Sequence, residues 1–488
     1  MRLQDLIAGG DYVLETRGDI GVEIRRLMAD SREKAQDALF FCIPGLRFDA
    51  HDYAEGAVKN GACALVVERF LDKIDVPQVM VKSARAAMSY IAQAFYGYPA
   101  EDMKLIGITG TKGKTTTSYM IKAIIEKAGY KCGLIGTTGS MISEKHLKSE
   151  LTTPDPIDLH RTLRLMADEG VQVVVMEVSA HALSMDRLIG MKFEVGIYTN
   201  LSQDHLDYFG TMDNYFAAKK TFFTSGLAKN GAFNADDERA ENMLSGLKIP
   251  MVTFAIAHNA DLFARDIEVG ENGVNFMLMF RDLEQHEIRL RLTGMFNVYN
   301  ALAAASAAYI LGIPAGVIKD GLESLRAVPG REETLETGTP FKVILDYAHS
   351  PEALHVILIT VKQFARGRII AVFGCGGDRD HAKRAIMGEI GGTYADFCVL
   401  TSDNPRTEDP YDILSSLEEG IKRTDGAYTI IENRRDAILY AMKMAAAGDI
   451  VLLAGKGHET YQEINGVKHP FDEKVVVAEL LREHPELR

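Results

Sequence analysis

An α/β architecture in three domains is the expectation for this chain, and three observations predict it. The chain is 488 residues long, against about 100–200 residues for a typical domain. Short apolar runs alternate with segments whose apolar residues recur at helical spacing, the pattern of a parallel sheet covered by helices. Two stretches bearing proline or glycine, YGYPAED (96–102) and VPGREE (328–333), interrupt that alternation. They set boundaries that give domains over 1–100, 101–330 and 331–488.

Residues 1–100 read as a small mixed α/β domain. DSREKAQDALFFCIPG (30–45) and GACALVVE (61–68) supply short strands with turn residues between them. Asp30, Ser31 and Arg32 form a compact polar triplet that a simple turn would also explain.

The second domain opens on LIGITGTKGKTTTSYMIKAII (105–125). A short apolar run turns through glycines and threonines into a helical segment. Met120, Ile121, Ile124, Ile125 and Ala128 share one face of it, and Gly129 follows as a stop. Strand, glycine turn and helix N-terminus together cradle phosphate, because free backbone N–H groups and the positive helix end face the anion. The glycines fall at 107, 110 and 113, and Ile108 stands five before Gly113, so this is a variant of the strict G-x-x-x-x-G-K-[ST] loop. Lys114 would reach terminal phosphates and the Thr115 hydroxyl would ligate Mg²⁺. A nucleoside triphosphate is the expected ligand, on a central P-loop ATPase-type parallel sheet with helices.

Two further apolar runs end in polar clusters. VQVVVMEVSAHAL (171–183) ends in Glu177, Ser179 and His181, and VGIYTNLSQDHLDYFG (195–210) ends in Asn200, Asp204, His205 and Asp207. In open parallel sheets ligands sit beyond the carboxyl ends of strands. Glu177 and His205 are therefore candidates for the metal beside the nucleotide phosphates. In NYFAAKKTFF (214–223), Lys219 and Lys220 break an aromatic face, which a solvated lysine pair would explain. Residues 231–293 read as peripheral strands, followed by an uncharged buried helix over Gly294–Ile318.

The last domain is the most regular. KVILDYAH (342–349), RIIAVFGCGGDRD (368–380), ADFCVLTSDNPRTEDP (395–410) and DIVLLAGKGHETY (449–461) are apolar runs, each ending in a polar or glycine-rich cluster. A Rossmann-like doubly wound sheet with one polar cleft is the reading.

Composition narrows the functions. Hydrophobic residues make up 47% and charged residues 25%, ordinary for a soluble globular chain. A net charge of −14 argues against a nucleic-acid partner held through phosphates, while leaving room for small anionic substrates. The N-terminus MRLQDLIAGGDYV lacks a basic region before an apolar run, so no signal peptide is expected. Gly294–Ile318 is too polar and alanine-rich for a membrane span, so no membrane insertion is expected. Cys42, Cys63, Cys132, Cys375 and Cys398 include no C-x-x-C pair, which fits a reducing cytoplasm without disulfides or zinc.

Taken in order, TGTKGKTT (109–116), TTP (152–154), MEVSAHAL (176–183), TNLSQDHLDYFGTMDNYFAAK (199–219), GMFNVYNALAA (294–304), VPGR (328–331), DYAH (346–349), GCGGDRD (374–380), SDNPRTEDP (402–410) and GKGHE (455–459) resemble the Mur ligases over essentially the whole chain. The resemblance implies ATP-dependent amide formation through an acyl phosphate, with Mg²⁺, on small-molecule substrates of peptidoglycan synthesis, by a cytoplasmic enzyme expected to be a monomer. It implies that Lys114, Glu177, Lys219 and His205 are catalytic. Gly110, Thr111, Gly113, Lys114, Thr115, Thr116, Asn297, Arg331 and Asp346 would bind ATP. Thr115, Glu177, His205 and Lys219, the last as a carbamate, would hold metal. Ser31, Thr152, Thr153, Ser179 and Arg187 would hold a UDP-muramoyl dipeptide. Arg379, Asp403, Asn404, Arg406, Gly455 and Glu459 match a meso-diaminopimelate pocket, since lysine-adding relatives lack an arginine at position 406.

The sequence departs from the family pattern at Lys112, Leu151, Ala180 and Ala385, none of which removes a group the mechanism needs. Three rivals stand beside this reading: the same ligation with L-lysine, a folate-extending ligase, and a non-catalytic nucleotide-binding scaffold subunit.

Overall fold

The computed structural model describes residues 1–45, 48–143, 145–147, 151–271 and 273–488. The chain divides into two compact units. One comprises Met1–Phe263, Phe280–Glu284 and Tyr299–Gly321; the other comprises Ala264–Met279, Gln285–Val298 and Leu322–Arg488.

The first unit begins with a five-stranded sheet in the order Val13–Arg17, Gln78–Val81, Ala62–Val67, Ala38–Phe41 and Arg26–Met28. The strand expected within 30–45 is confined to Ala38–Phe41. Residues before it form turns, with Asp37 in the left-handed region at φ 56°. Ala84–Phe95 packs on this sheet through Ala84, Ala87, Met88 and Ile91, and Ser83 caps it by accepting from the Ala86 N–H at 3.2 Å.

The larger sheet of this unit runs Met251–Ala255, Ala228–Asn234, Phe193–Tyr198, Lys104–Thr109, Val173–Glu177 and Cys132–Gly136, all parallel. Every residue of Val173–Glu177 is buried, as a strand covered on both faces requires. The pairing sets Glu177 beside Ile108 and Tyr198 beside Thr109, so the three central strands end at one edge. That register is what gathers the functional side chains.

The uncharged stretch after Gly294 is two helices rather than one, Met295–Ile310 and Ala315–Ser324, separated at Gly312 and Pro314. Proline cannot continue a helix by donating backward, so the break falls where the sequence places it. Among the described residues no helix is long and apolar enough to cross a membrane.

The second unit carries a six-stranded sheet in the order Glu333–Leu335, Lys342–Asp346, Ile450–Ala454, Ile369–Phe373, Phe397–Leu400 and Tyr428–Ile430. Only the first pair is antiparallel. Alternate residues along each strand serve opposite cores. Ile344, Ile369, Ala371 and Phe373 pack with helices Pro351–Phe364, Ala382–Tyr394 and Pro410–Ile421. Val343, Leu345, Ile370 and Val372 pack with Arg434–Met444 and Glu473–Glu483. The two-residue period of a strand thus explains why these runs are apolar throughout.

Candidate functional site

In the first unit the loop 110–113 joins strand Lys104–Thr109 to helix Lys114–Lys127. Gly113 caps the helix at φ 85°, and a Cβ there would lie 2.3 Å from Asn300 Oδ1. Both facts require glycine. The loop is clamped from the neighbouring strand end: Asn200 Oδ1 accepts from the Lys112 N–H at 2.8 Å, and the Thr111 N–H donates to Asn200 O at 3.0 Å. Thr111 Oγ1 also accepts from the Ser202 N–H at 3.0 Å.

Lys114 folds over this loop, its Nζ donating to Gly110 O at 2.9 Å and Thr111 O at 3.0 Å. Lys219 reaches the same Gly110 carbonyl at 2.8 Å from helix Met212–Thr224, 4.3 Å above the Tyr215 ring. Lys219 is 1% exposed, so the solvated-pair explanation fails for it. Lys220 instead sits at the surface on the carbonyls of Asn242 and Ser245. Burial, followed by repulsion from Lys114, drives the Lys219 pKa well below 10.5. Its amine is therefore biased toward the neutral, nucleophilic form. His205, at φ 54°, has its pKa lowered by burial, with Asp204 opposing and Lys114 and Lys219 adding to the shift. These four residues form one cluster.

Glu177 ends its strand fully buried. Its carboxylate accepts from the Thr137 N–H at 2.9 Å and the Thr137 hydroxyl at 3.0 Å. Thr137 Oγ1 meets Thr152 Oγ1 at 3.1 Å. Thr153 Oγ1 donates to Glu177 O at 2.8 Å and accepts from the Ser179 N–H at 3.0 Å, while Arg187 donates to Thr153 O at 2.7 Å. Thr152, Thr153, Ser179 and Arg187 are thus one hydrogen-bonded group leading into Glu177. Ser31 lies apart from them, its carbonyl accepting from Asn60 Nδ2 at 2.8 Å. His181 stacks edge-on with His205 at 4.7 Å, and burial lowers its pKa to about 4.

Thr115 and Thr116 are buried in the first helical turn. Among the described residues no group of three or more His, Cys, Asp or Glu side chains is placed to hold a metal. Mg²⁺ needs no such cage, since it binds through one or two carboxylates plus substrate phosphates. A buried hydroxyl and the Glu177 carboxylate fit that donor chemistry, and the Lys219 amine would fit it only once converted to an oxygen-bearing carbamate.

The second unit holds the remaining candidates. Glu332 and Asp346 are adjacent, with the Glu332 N–H donating to Asp346 Oδ2 at 2.8 Å. Burial raises the Asp346 pKa, opposed by Arg331, whose guanidinium lies 4.8 Å above the Tyr347 ring. Asn297 is buried, donating to Thr293 O at 2.7 Å.

Beyond three strand ends of the same unit the polar residues interlock. Arg406, at φ 51°, donates to Gly377 O at 2.7 Å and to Glu463 Oε2 at 3.2 Å. Asn404 donates to Glu459 at 2.9 Å and accepts from Lys456 at 3.1 Å, and Lys456 pairs with Glu459 at 3.0 Å. Asp403 is 7% exposed, and its Oδ2 is buried without a hydrogen-bond partner. Burial alone would raise its pKa, but Lys456, Arg434, His349 and Lys383 outweigh that and hold it low. Gly455, at φ 117°, would place a Cβ 2.5 Å from this oxygen. Arg379 is exposed on the loop between strand Ile369–Phe373 and helix Ala382–Tyr394.

Sequence reasoning passed over Lys456, Glu463, Thr137 and Arg434 as site residues. Lys456 carries a signal, a lysine inside a glycine-rich strand end. The other three carry none, since only tertiary packing aims them.

Three family comparisons match successive parts of the chain. The Mur ligase family catalytic domain matches 23–96, the Mur ligase middle domain 108–308, and the Mur ligase glutamate ligase domain 330–457. The UDP-N-acetylmuramoyl-L-alanyl-D-glutamate–2,6-diaminopimelate ligase of Caldanaerobacter subterraneus subsp. tengcongensis is 44% identical over 484 residues, covering 99% of each chain. The corresponding ligase 1 of Clostridium acetobutylicum is 43% identical over 486 residues, 99% of this chain and 100% of its own. A solved structure of a UDP-N-acetylmuramoyl-L-alanyl-D-glutamate–2,6-diaminopimelate ligase aligns at 32% identity with a TM-score of 0.69, covering 99% of both chains. MurF ligase from Thermotoga maritima, solved in complex with ADP, shares the fold at 18% identity and a TM-score of 0.63, over 94% of this chain and 96% of its own.

Proposed function

Because the chain belongs to the Mur ligase family, we propose that it is an ATP-dependent ligase joining meso-2,6-diaminopimelate to UDP-N-acetylmuramoyl-L-alanyl-D-glutamate. The observation that carries this reading is the pair of lysines, Lys114 and Lys219, converging on Gly110 at the edge where three parallel strands end. Lys114, held against backbone carbonyls, offers a polyphosphate the charge that those carbonyls only partly satisfy, while the buried Lys219 amine beside it is biased toward the form that takes up carbon dioxide.

In this reading the γ-phosphoryl group of ATP passes to the side-chain carboxylate of D-glutamate, releasing ADP and leaving an acyl phosphate. The amine of the incoming amino acid then attacks the carbonyl carbon, the C–O bond to phosphate breaks, and an amide and inorganic phosphate result. Gly110, Thr111, Gly113 and Thr116 frame the phosphates, and Lys114 offsets the charge that spreads over the transferring group. Asn297, Arg331 and Asp346 are assigned to the adenine, phosphate and ribose. Thr152, Thr153, Ser179 and Arg187, with Ser31, are assigned to the UDP-linked dipeptide. Bound Mg²⁺ would neutralise phosphate charge, held by Thr115, Glu177, His205 and a carbamate formed on Lys219. A buried lysine whose pKa is depressed is the form that adds carbon dioxide.

For the amino acid, Asp403 and Glu459 face ammonium groups, while Arg406 and Arg379 take carboxylates, with Asn404 and Gly455 shaping the pocket. Arg406 offers a planar fork suited to the distal carboxylate of diaminopimelate, which L-lysine lacks. Three domains with boundaries near 100 and 330, a monomer, and a cytoplasmic reaction complete the proposal.

Phosphate release from ATP with the UDP-linked dipeptide tests it. Release that depends on both the dipeptide and diaminopimelate is expected. Nucleotide binding without amino-acid-dependent release would identify a scaffold and overturn the ligase reading.

A further inference from the structure

The loops that hold Asp403 and Gly455 follow strands Phe397–Leu400 and Ile450–Ala454, which are not neighbours. Strand Ile369–Phe373 lies between them in the sheet, so no ladder hydrogen bond ties one strand end to the other. Arg434 spans the gap. It is the first residue of helix Arg434–Met444, whose N-terminus is capped by Asn433. Its Nη1 donates to Ser402 O at 3.3 Å and its Nη2 to Ala454 O at 2.9 Å, the carbonyls immediately preceding Asp403 and Gly455. Its Nε donates to Glu473 Oε1 at 2.8 Å, from the first residue of helix Glu473–Glu483. Both side chains are 0% exposed.

A fully buried ion pair is a poor stabiliser compared with apolar side chains of similar volume, because removing two charges from water costs about as much as their attraction returns. Stability therefore does not account for the pair. What no apolar residue could do is donate to two carbonyls on non-adjacent strands at once. The planar guanidinium has the donors in fixed directions for it, which an ammonium group has not. The spacing it fixes is the one at which Asp403 Oδ2 fits against Gly455, where even a Cβ would be 2.5 Å away.

We propose that the Arg434–Glu473 pair is the positioning element of the amino-acid pocket, setting the Asp403 loop against the Gly455 loop so that the pocket binds the incoming amino acid. Arg434 touches no reacting atom; it acts through these loops and through its charge beside Asp403. The inference rests on the ligase reading above and adds to it a residue pair outside every motif of the sequence.

The test is steady-state kinetics with each substrate varied in turn, on the whole chain carrying R434M/E473L, and separately R434K. The double variant removes both charges together, so neither member of the pair is left as an unpaired buried ion, and Lys456 stays beside Asp403. Its KM for diaminopimelate is expected to rise about tenfold or more, with the KM for ATP and for the UDP-linked dipeptide within about twofold. R434K keeps the charge but cannot span both carbonyls, so its KM for diaminopimelate should rise in the same selective way.

A diaminopimelate KM that stays at the wild-type value in both variants overturns the inference. So does a parallel rise in all three KM values, which would mark a purely structural role. Should the double variant fail to fold, R434K decides alone by the same criteria. No diaminopimelate-dependent turnover by the wild-type chain would overturn the ligase reading and this inference together. Wild-type turnover with unselective variants overturns only the inference.

Discussion

The two polar clusters solve opposite electrostatic problems. Around Gly110 the amines of Lys114 and Lys219 gather on backbone carbonyls, and Lys112 adds a further cation whose carboxylate partner is Asp204 at 3.5 Å. Around Asn404 the cations meet carboxylates: Arg406 with Glu463, Lys456 with Glu459, Arg434 with Glu473, and Arg384 with Glu408. The first cluster is built for a ligand that brings excess negative charge. The second suits a ligand carrying both signs, which can exchange into existing pairs without leaving a net buried charge. A polyphosphate fits the one and a diamino diacid the other.

Substitutions that blunt this contrast should have effects ordered by how much charge each cluster must supply. Lys114→Ala removes the cation that the proposed function assigns to the transferring phosphoryl group. Amino-acid-dependent phosphate release should fall by about 10²–10³, with far-ultraviolet circular dichroism unchanged. Lys219→Ala should fall comparably. Lys219→Arg should be no better, because a guanidinium does not take up carbon dioxide; restored activity in the arginine variant would remove the carbamate from the account.

Arg406→Ala acts on the other side of the comparison. The KM for diaminopimelate should rise by roughly 10- to 100-fold, the cost of losing hydrogen bonds to a charged group, while the KM for ATP holds. Equal rises in both would erase the distinction between the clusters. Gly455→Ala is the subtler version. At φ 117° and 2.5 Å from Asp403 Oδ2, the added methyl should weaken amino-acid binding and lower stability by about 1–3 kcal/mol, read by chemical denaturation.

The smallest effect is a pH dependence. The unfolded chain keeps a proton on Lys219 up to about 10.5, whereas burial lowers the folded value well below that. Between the two values the unfolded state binds more protons, so the Lys219 contribution to stability improves as pH rises. In carbon-dioxide-free buffer, Lys219→Met should raise the thermal midpoint most near neutral pH and converge on wild type near pH 10.5. A difference that does not change with pH would contradict the buried neutral amine.

Much of this was legible in the sequence. The phosphate loop reads directly, because strand, glycine turn and helix are contiguous in the chain. The doubly wound sheet of the second unit reads from four unbroken apolar runs, since a strand buried on both faces has no alternation to hide. Lys219 does not read from composition or period. Its neighbour Lys220 lies at the surface one residue on, and only packing of the helix against Gly110 separates them. Motif resemblance marked Lys219 out where physical pattern could not. Thr137, Glu463 and Arg434 show the remaining limit: each is an ordinary polar residue locally, and its role comes from partners 40, 57 and 39 positions away in the chain.

The most direct measurement is phosphate release with ATP, Mg²⁺ and UDP-N-acetylmuramoyl-L-alanyl-D-glutamate, comparing meso-diaminopimelate with L-lysine as the amino acid. Turnover with diaminopimelate and little with lysine is the predicted result, since only the former offers Arg406 a distal carboxylate. Equal or better turnover with lysine would contradict the assignment of the second cluster to a ligand carrying two amino-acid heads.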